Sequence, residues 1–145
     1  MATAVSHPAV LLDTGPLVAA LSRNDHAHIW AKSQFASLPA PFLTCEAVIS
    51  EACFLLRKFA SGASGVVRLL ESGAVTIGFN LSNEATAVRK LLERYNHVPG
   101  ALADVCLVRM AELHERCIVL TLDSDFHIYR RHGRKAIPIS RPELA

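Results

Sequence analysis

Short, β-branched apolar runs that alternate with longer helix-patterned segments predict an α/β fold, with a mostly parallel sheet and helices on both faces. Two further features support this fold class. The apolar runs are nearly continuous instead of alternating with polar residues, as in strands buried on both faces. Acids stand at the carboxyl ends of two of them, the edge at which open α/β sheets bind ligands. The chain has 145 residues and is 51% apolar, enough for one full core and too short for two, so residues 1–145 are expected to form a single domain.

Ala9 to Leu12 (AVLL) is the first expected strand. It ends in Asp13 and Thr14 before Gly15-Pro16, where a turn and a helix start belong, and Leu17 to Leu21 continues as a short helix. Asn24-Asp25 has the chemistry of a cap for a helix through Ile29, Trp30 and Phe35, which Pro39 and Pro41 end. Phe42-Leu43 is a short strand, and Thr44 can cap a helix from Cys45 to about Phe59. Ser61 to Gly65 reads as a flexible connector into a helix ending near Glu71, and Ala74 to Phe79 as a strand. Ser82 or Asn83 can cap a helix to about Arg94; Tyr95 to Gly100 is a loop, and another helix is expected from Ala101 to about Glu115. Cys117 to Leu120 (CIVL) is the next buried strand, followed by a helical turn within Phe126 to Arg131 and an edge strand from Ala136 to Ile139.

A formal charge of +2 excludes neither nucleic acid nor an acidic partner, although the basic residues lean toward the second half. No charged leader precedes a long apolar run, and no run reaches the length of a membrane span. A soluble, cytoplasmic protein without a membrane partner is therefore expected. Cys45, Cys53, Cys106 and Cys117 show no C-x-x-C spacing and lie within apolar or helical patterns, which suits reduced core residues better than a zinc site or a disulfide framework.

Certain acids stand where an unpaired carboxylate is costly. Glu51 has Ala47 and Val48 at i−4 and i−3, and Phe54 and Leu55 at i+3 and i+4, which places it on the apolar stripe of its helix. Asp104 has Ala101 at i−3 and Leu107 and Val108 at i+3 and i+4. Glu46 lies about 140° around the helix from Glu51 and points elsewhere, and Glu112 has the surroundings of an ordinary surface acid. Right-handed crossovers bring the strand-end acids Asp13 and Asp123 to the rim from which these helices begin. Each acid also has an ordinary explanation: Asp13 could cap a helix, Asp123 could shape a turn, and Glu51 or Asp104 could pair with Arg57 or Arg109 from another element. Together they point to a hard divalent cation, because like charges so close raise one another's pKa values. Oxygen ligands suit magnesium or manganese, whereas zinc favours His or Cys.

LLDTGPLVAAL with Asp13, TCEAVISEACFLL with Glu51, VPGALADVCLVRMAE with Asp104 and TLDSDFHIYRR with Asp123 resemble, in this order, the PIN-domain nucleases, and within them the VapC-type toxins of bacterial toxin–antitoxin pairs. The resemblance covers nearly the whole chain. It implies a three-layer α/β/α sandwich, a ribonuclease dependent on Mg2+ (or Mn2+), a homodimer, and inhibition by a small antitoxin. Asp13, Glu51, Asp104 and Asp123 match the family's acidic quartet position by position, as catalytic metal ligands; Asp125 is an additional or substitute acid. Val105 stands where a smaller residue is common after the third acid. Cleavage of RNA by a metal-activated water is the chemistry such a site implies. An RNA-processing or DNA nuclease would use the same site, and a catalytically silent binding module would keep the fold alone.

His127, Arg130, Arg131, His132, Arg134 and Lys135 follow the acidic turn closely. Arg130, Arg131, Arg134 and Lys135 are the candidate RNA-binding residues, as phosphate contacts beside the site, with a solubilising surface patch as the alternative. His127 and His132 offer a metal-free route by general acid–base catalysis, although histidines so close in a basic loop are more simply phosphate contacts. Trp30 and Phe35 are expected in the core or in a dimer contact.

Overall fold

The apolar run Ala9–Leu12 forms the central strand β1 of a five-stranded sheet in the computed structural model, which describes residues 7–96 and 102–142. The other strands are β2 (Phe42–Thr44), β3 (Val75–Ile77), β4 (Cys117–Leu120), a short antiparallel pair β5 (Arg130–Arg131) and β6 (Lys135–Ala136), and β7 (Ile139–Ser140). The main sheet runs β3-β2-β1-β4-β7, and every neighbouring pair in it is parallel. Helices α1 (Thr14–Leu21), α2 (His28–Ser37), α3 (Glu46–Leu55), α4 (Gly62–Glu71), α5 (Ala85–Arg94) and α6 (Leu102–Leu113) connect the strands, with a 3-10 turn at Ser124–His127.

Leu11 and Leu12 are both wholly enclosed, as are Val119 and Leu120. Adjacent strand residues point to opposite faces, so helices must cover both sides, which makes the fold a three-layer α/β/α sandwich. The chain steps outward from β1 through β2 to β3, then returns to lay β4 on the other flank of β1. The strand order therefore reverses between β1 and β4, where the connections leave a crevice outside the carboxyl ends. The register pairs Leu12 with Leu120, so Asp13 and Thr121 emerge level with each other at that crevice.

Several local expectations shift. Asp25 does not cap α2; its Oδ1 accepts from the Ala27 amide at 2.8 Å in the preceding turn, and the helix begins at His28. Thr44 belongs to β2 and donates to the Leu12 carbonyl at 2.7 Å, leaving Cys45 as the N-cap of α3. That helix stops at Leu55, short of Phe59, and the expected connector from Ser61 to Gly65 is already helical from Gly62. Neither Ser82 nor Asn83 is the cap of α5, whose N-cap is Glu84. The expected loop keeps Tyr95 and Asn96 outside helix and strand, while its residues 97–100 and the expected helix start at Ala101 lie outside the described residues. The 3-10 turn precedes the position expected for it because Asp123 caps it, accepting from the Asp125 amide. Arg130 and Arg131 are strand rather than helix, turned back by His132 (φ 52°) and Gly133 (φ 78°). That hairpin takes up Lys135 and Ala136, so the edge strand falls at Ile139–Ser140.

Trp30 and Phe35 pack against the main core, Phe35 with its ring centroid 4.5 Å from that of Phe42. All four cysteines are free. No helix among the described residues is long and apolar enough to cross a membrane. Because Leu11 is enclosed on the central strand, Leu11→Ala should cost about 2–5 kcal/mol, the usual range for a core Leu that leaves a cavity. Urea unfolding checks this, and a loss below about 1 kcal/mol would show that the sheet centre repacks freely.

Candidate active site

Asp13, Glu51, Asp104 and Asp123 line one cleft of about 270 Å³, together with Thr14, Gly15, Leu55 and Leu122. Each acid arrives from a different element. Asp13 follows β1 and caps α1, Glu51 projects from the middle of α3, Asp104 sits in the first turn of α6, and Asp123 follows β4. Gly15 lets the start of α1 approach the Leu122 side chain, which a Cβ there would meet at 3.1 Å.

Asp13 is held from both sides. Its Oδ1 accepts from the Thr14 amide at 2.8 Å and its Oδ2 from the Thr121 hydroxyl at 2.7 Å. Thr121 is wholly buried, and its oxygen in turn accepts from the Asp123 amide at 2.9 Å, so one hydroxyl joins the two strand ends. Asp123 Oδ1 accepts from the Asp125 amide at 2.8 Å. Asp104 accepts from the Tyr129 hydroxyl at 3.0 Å. Tyr129 is fully enclosed and packs edge-on against both Tyr95 and Phe126, with centroids 5.0 and 5.2 Å away. Tyr95 also accepts from the Arg130 amide at 2.9 Å, which fastens the hairpin to the same aromatic cluster.

Burial pushes the Asp13 carboxyl up to about 6, against the lowering effect of its two hydrogen bonds and with Asp123 and Glu51 adding repulsion. Burial also raises Asp104, to about 7, with Asp13 the next contributor and the Tyr129 hydroxyl opposing. Tyr129 itself is driven upward by burial and by the Asp104 charge, so its hydroxyl remains a donor.

The basic residues that might have neutralised these acids are engaged elsewhere. Arg57 lies 3.9 Å from the centroid of the Phe54 ring and donates to the Phe54 carbonyl, while Arg109 pairs with Glu84 and Glu112 at 3.3 and 3.2 Å. Among the described residues, no basic side chain lines the cleft. Carboxylate oxygens of Asp104, Asp123 and Asp125 also lie within 4.8 Å of one another, a spacing that suits a shared cation. Asp125 does not line the cleft but shares this spacing with two acids that do, whereas Asp13 spends both oxygens on protein donors. Among the described residues the donor set is all carboxylate, with no His or Cys lining the cleft, so it fits a hard divalent cation better than zinc.

Glu51 reaches the cleft for a reason only partly visible beforehand. The buried stripe of α3 is Val48 and Ala52, continued by Leu56 at its C-cap, whereas Phe54 and Leu55 are 60% and 47% exposed. Glu51 flanks the core and opens onto the cleft wall beside Leu55. Asp104 does lie on a buried stripe, with Leu107 and Val108 enclosed, and Val105 is buried without disturbing the helix. Glu46 is exposed and faces a different cavity.

None of Arg130, Arg131, Arg134 and Lys135 lines the acidic cleft. Arg130 Nη1 donates to the His127 and Tyr129 carbonyls at 2.6 and 3.0 Å, and Arg131 Nη1 to the Glu115 carbonyl at 3.0 Å. Arg131, His132 and Lys135 border a separate cavity with Glu112, Leu113 and Glu115. His127 is exposed and its Nε2 lies 3.3 Å from Arg141, whose Nη2 donates to the Leu122 carbonyl at 3.4 Å. Thr121 stood in view at a strand end, but Tyr129 and Arg141 carried no sequence signal, since their contacts arise only from tertiary packing.

The family described as PIN domain matches residues 10–131. No curated protein matches the chain by sequence. Among solved structures, VapC20 of Mycobacterium tuberculosis, a sarcin-ricin loop cleaving toxin, matches with a TM-score of 0.73 and 20% identity, over 81% of this chain and 92% of that one. At that identity the likeness shows the fold.

Both pKa shifts have the same consequence for folding. Asp13 and Asp104 keep their protons in the folded chain at pH values where the unfolded chain has released them, so stability is lost as pH rises from about 4 towards 6 and 7. In EDTA, Asp104→Asn should match or exceed the wild-type unfolding free energy above pH 7, by roughly 1–3 kcal/mol, with a higher melting temperature to match, and should lose that advantage near pH 4. Parallel melting curves for the two proteins across the window would contradict the assignment.

Proposed function

Because the chain belongs to the PIN domain family, we propose that it is a metal-dependent endoribonuclease of toxin type, with Asp13, Glu51, Asp104 and Asp123 as its catalytic carboxylates and Asp125 as a further ligand. The observation that carries this reading is the convergence of acids from separate elements on one cleft whose lining, among the described residues, contains no base. RNA as the substrate draws support from the solved neighbour, a toxin that cleaves the sarcin-ricin loop. A processing or DNA nuclease would use the same carboxylates, and the substrate is therefore the point to test.

A magnesium or manganese ion would be held by Asp104, Asp123 and Asp125, with Asp13 and Glu51 facing the same cleft. When bound, such an ion supplies a water of lowered pKa and offsets charge on the phosphoryl oxygens. The chain supplies position. The Thr14 amide and the Thr121 hydroxyl set both oxygens of Asp13 before any substrate arrives, and the Tyr129 hydroxyl orients Asp104. Leu55 and Leu122 line the cleft between the acids and displace water beside a bound phosphodiester. His127 lies outside that lining and His132 borders the separate cavity, so histidine acid–base cleavage finds no common site for the pair.

Arg134 and Lys135 are exposed, and the proposal assigns them phosphate contacts beside Arg130 and Arg131, whose guanidinium groups also hold backbone carbonyls. A homodimer and a small antitoxin complete the proposal. Leu55 on the cleft wall and the exposed Phe54 before it suit a partner that offers an apolar helix and an arginine to the carboxylates. A small reading frame beside the gene, and growth arrest on expression without it, would support the toxin role; lacking both, the processing nuclease takes precedence.

Cleavage of RNA with magnesium or manganese should leave a 5′-phosphate and a 3′-hydroxyl, stop in EDTA, and be abolished in Asp13→Asn and Asp104→Asn proteins that remain folded. A 2′,3′-cyclic phosphate formed in EDTA would sink the mechanism. For the basic residues, neutralising Arg134 and Lys135 should weaken RNA binding and flatten its salt dependence, by about 1 in the log–log slope for each lost phosphate contact. Arg130→Gln and Arg131→Gln should in addition lower the melting temperature, because they release carbonyls. An unchanged salt slope would assign Arg134 and Lys135 to the solvated surface.

A further inference from the structure

Arg141 directly follows β7, and the strand register decides where it emerges. Leu12 pairs with Leu120 and Leu120 with Ser140, so Asp13, Thr121 and Arg141 leave three adjacent strands at the same level of the carboxyl edge. Asp13 lines the acidic cleft, Thr121 holds it in place, and Arg141 stands on the far side of β4. Its half-buried guanidinium touches both ends of the segment that carries Asp123 and Asp125: Nη2 donates to the Leu122 carbonyl at 3.4 Å, and Nη1 meets His127 Nε2 at 3.3 Å. A guanidinium has no lone pair to offer, so the ring nitrogen is the acceptor. Leu122 also lines the cleft, which sets the arginine fork at its rim.

Tying β7 to this turn would not require a charge. Both contacts are longer than usual for N–H donors, whereas Arg130 and Arg131 reach carbonyls at 2.6 and 3.0 Å, and the buried Nε of Arg141 has no partner among the described residues. A glutamine amide would serve as well. Among the described residues Arg141 is in no ion pair, although Asp123 and Asp125 belong to the segment it spans. A full positive charge with loosely engaged donors thus stands beside the carboxylates without being spent on them.

We propose that Arg141 is a substrate-binding residue, whose guanidinium fork grips the RNA phosphate next to the one held at the acidic cleft, with His127 as the acceptor that keeps the fork at the rim. This role rests on the nuclease reading above and adds to it the contact that sets the path of the strand. The planar fork matches two non-bridging phosphate oxygens, and it exchanges long bonds to a carbonyl and a ring nitrogen for charge-assisted ones. The carboxylates cannot make that contact themselves, because they repel the same phosphate.

The test measures binding of a short, labelled, mixed-sequence single-stranded RNA in magnesium to the full chain carrying Asp13→Asn, which leaves the RNA uncut. Adding Arg141→Gln should weaken binding roughly tenfold and flatten its salt dependence by about 0.7 in the log–log slope, the share of one phosphate on a single strand. Arg141→Lys should keep the slope, since the charge remains, and still bind several-fold more weakly, since the fork is lost. With Asp13 restored, Arg141→Gln should raise KM for RNA cleavage by a similar factor and leave kcat near its former value. A lowered melting temperature with an unchanged salt slope would overturn the proposal and leave Arg141 as a tie between β7 and the turn. A Lys variant that binds as tightly as its parent would overturn the bidentate grip. Should the parent chain bind no RNA, this role and the nuclease reading fall together; an unchanged slope in a parent that does bind removes the role of Arg141 alone.

Discussion

Carboxylates that repel one another are held together where β1 and β4 part, and much of the surrounding structure serves to keep them there. The parallel register brings Asp13 and Thr121 level, and the buried Thr121 hydroxyl then fastens Asp13 to the Asp123 turn. On the opposite side Asp104 enters from a helix that is almost wholly buried, and Tyr129 reaches it from within an aromatic cluster. These hydrogen bonds do not offset the burial, since both carboxyls remain raised, with repulsion from the neighbouring acids adding to it. What the bonds supply is geometry. A cation offered to the cleft meets ligands already in place, and the cost of gathering them has been met by folding.

The parts of this arrangement that were legible in the sequence are those written in local pattern. β1 and β4 fall where four-residue apolar runs predict them, and Asp104 announces itself because Leu107 and Val108 continue a buried stripe around it. Glu51 was found on a weaker premise, since two of the apolar neighbours that marked it are exposed and only the far side of α3 is core. Asp13 shows why single residues mislead: it caps α1, as an ordinary strand-end acid would, and also faces the cleft. The two roles share one side chain. Tyr129 was invisible because its partner lies 25 residues away on another element and its spacing follows no helical period. The β5–β6 hairpin did have a local signal, a His-Gly pair between basic residues, but charge suggested a surface loop and masked the turn chemistry.

The same comparison changes how the basic residues are understood. In sequence they form one block beside the acidic turn, and in space they divide. Arg130 and Arg131 turn inward to carbonyls that their own local segment or the end of α6 leaves open, a structural use of the guanidinium fork. Arg134 and Lys135 remain at the surface, and Arg141, from beyond the block, reaches the Leu122 carbonyl at the edge of the acidic cleft. Arg141 is thus the guanidinium placed at the edge of the cleft, while Arg130, Arg131, Arg134 and Lys135 lie outside its lining.

In the proposed nuclease, the acidic cleft would impose an order on binding. A phosphodiester would be repelled by ionised Asp13 and Asp104 until their charge is offset. Protons can do this at low pH, since Asp13 and Asp104 hold theirs up to about 6 and 7. A protonated carboxyl, however, is a poor ligand for a hard cation, so the form that best tolerates the empty cleft is the form least fit to hold magnesium or manganese. Raising the pH reverses both properties together: the metal-free fold weakens as the ligands ionise, and cation binding gains by the protons no longer to be displaced. In the proposed nuclease, stability and readiness for catalysis are thus opposed in the same carboxyl groups, and a bound cation would reconcile them.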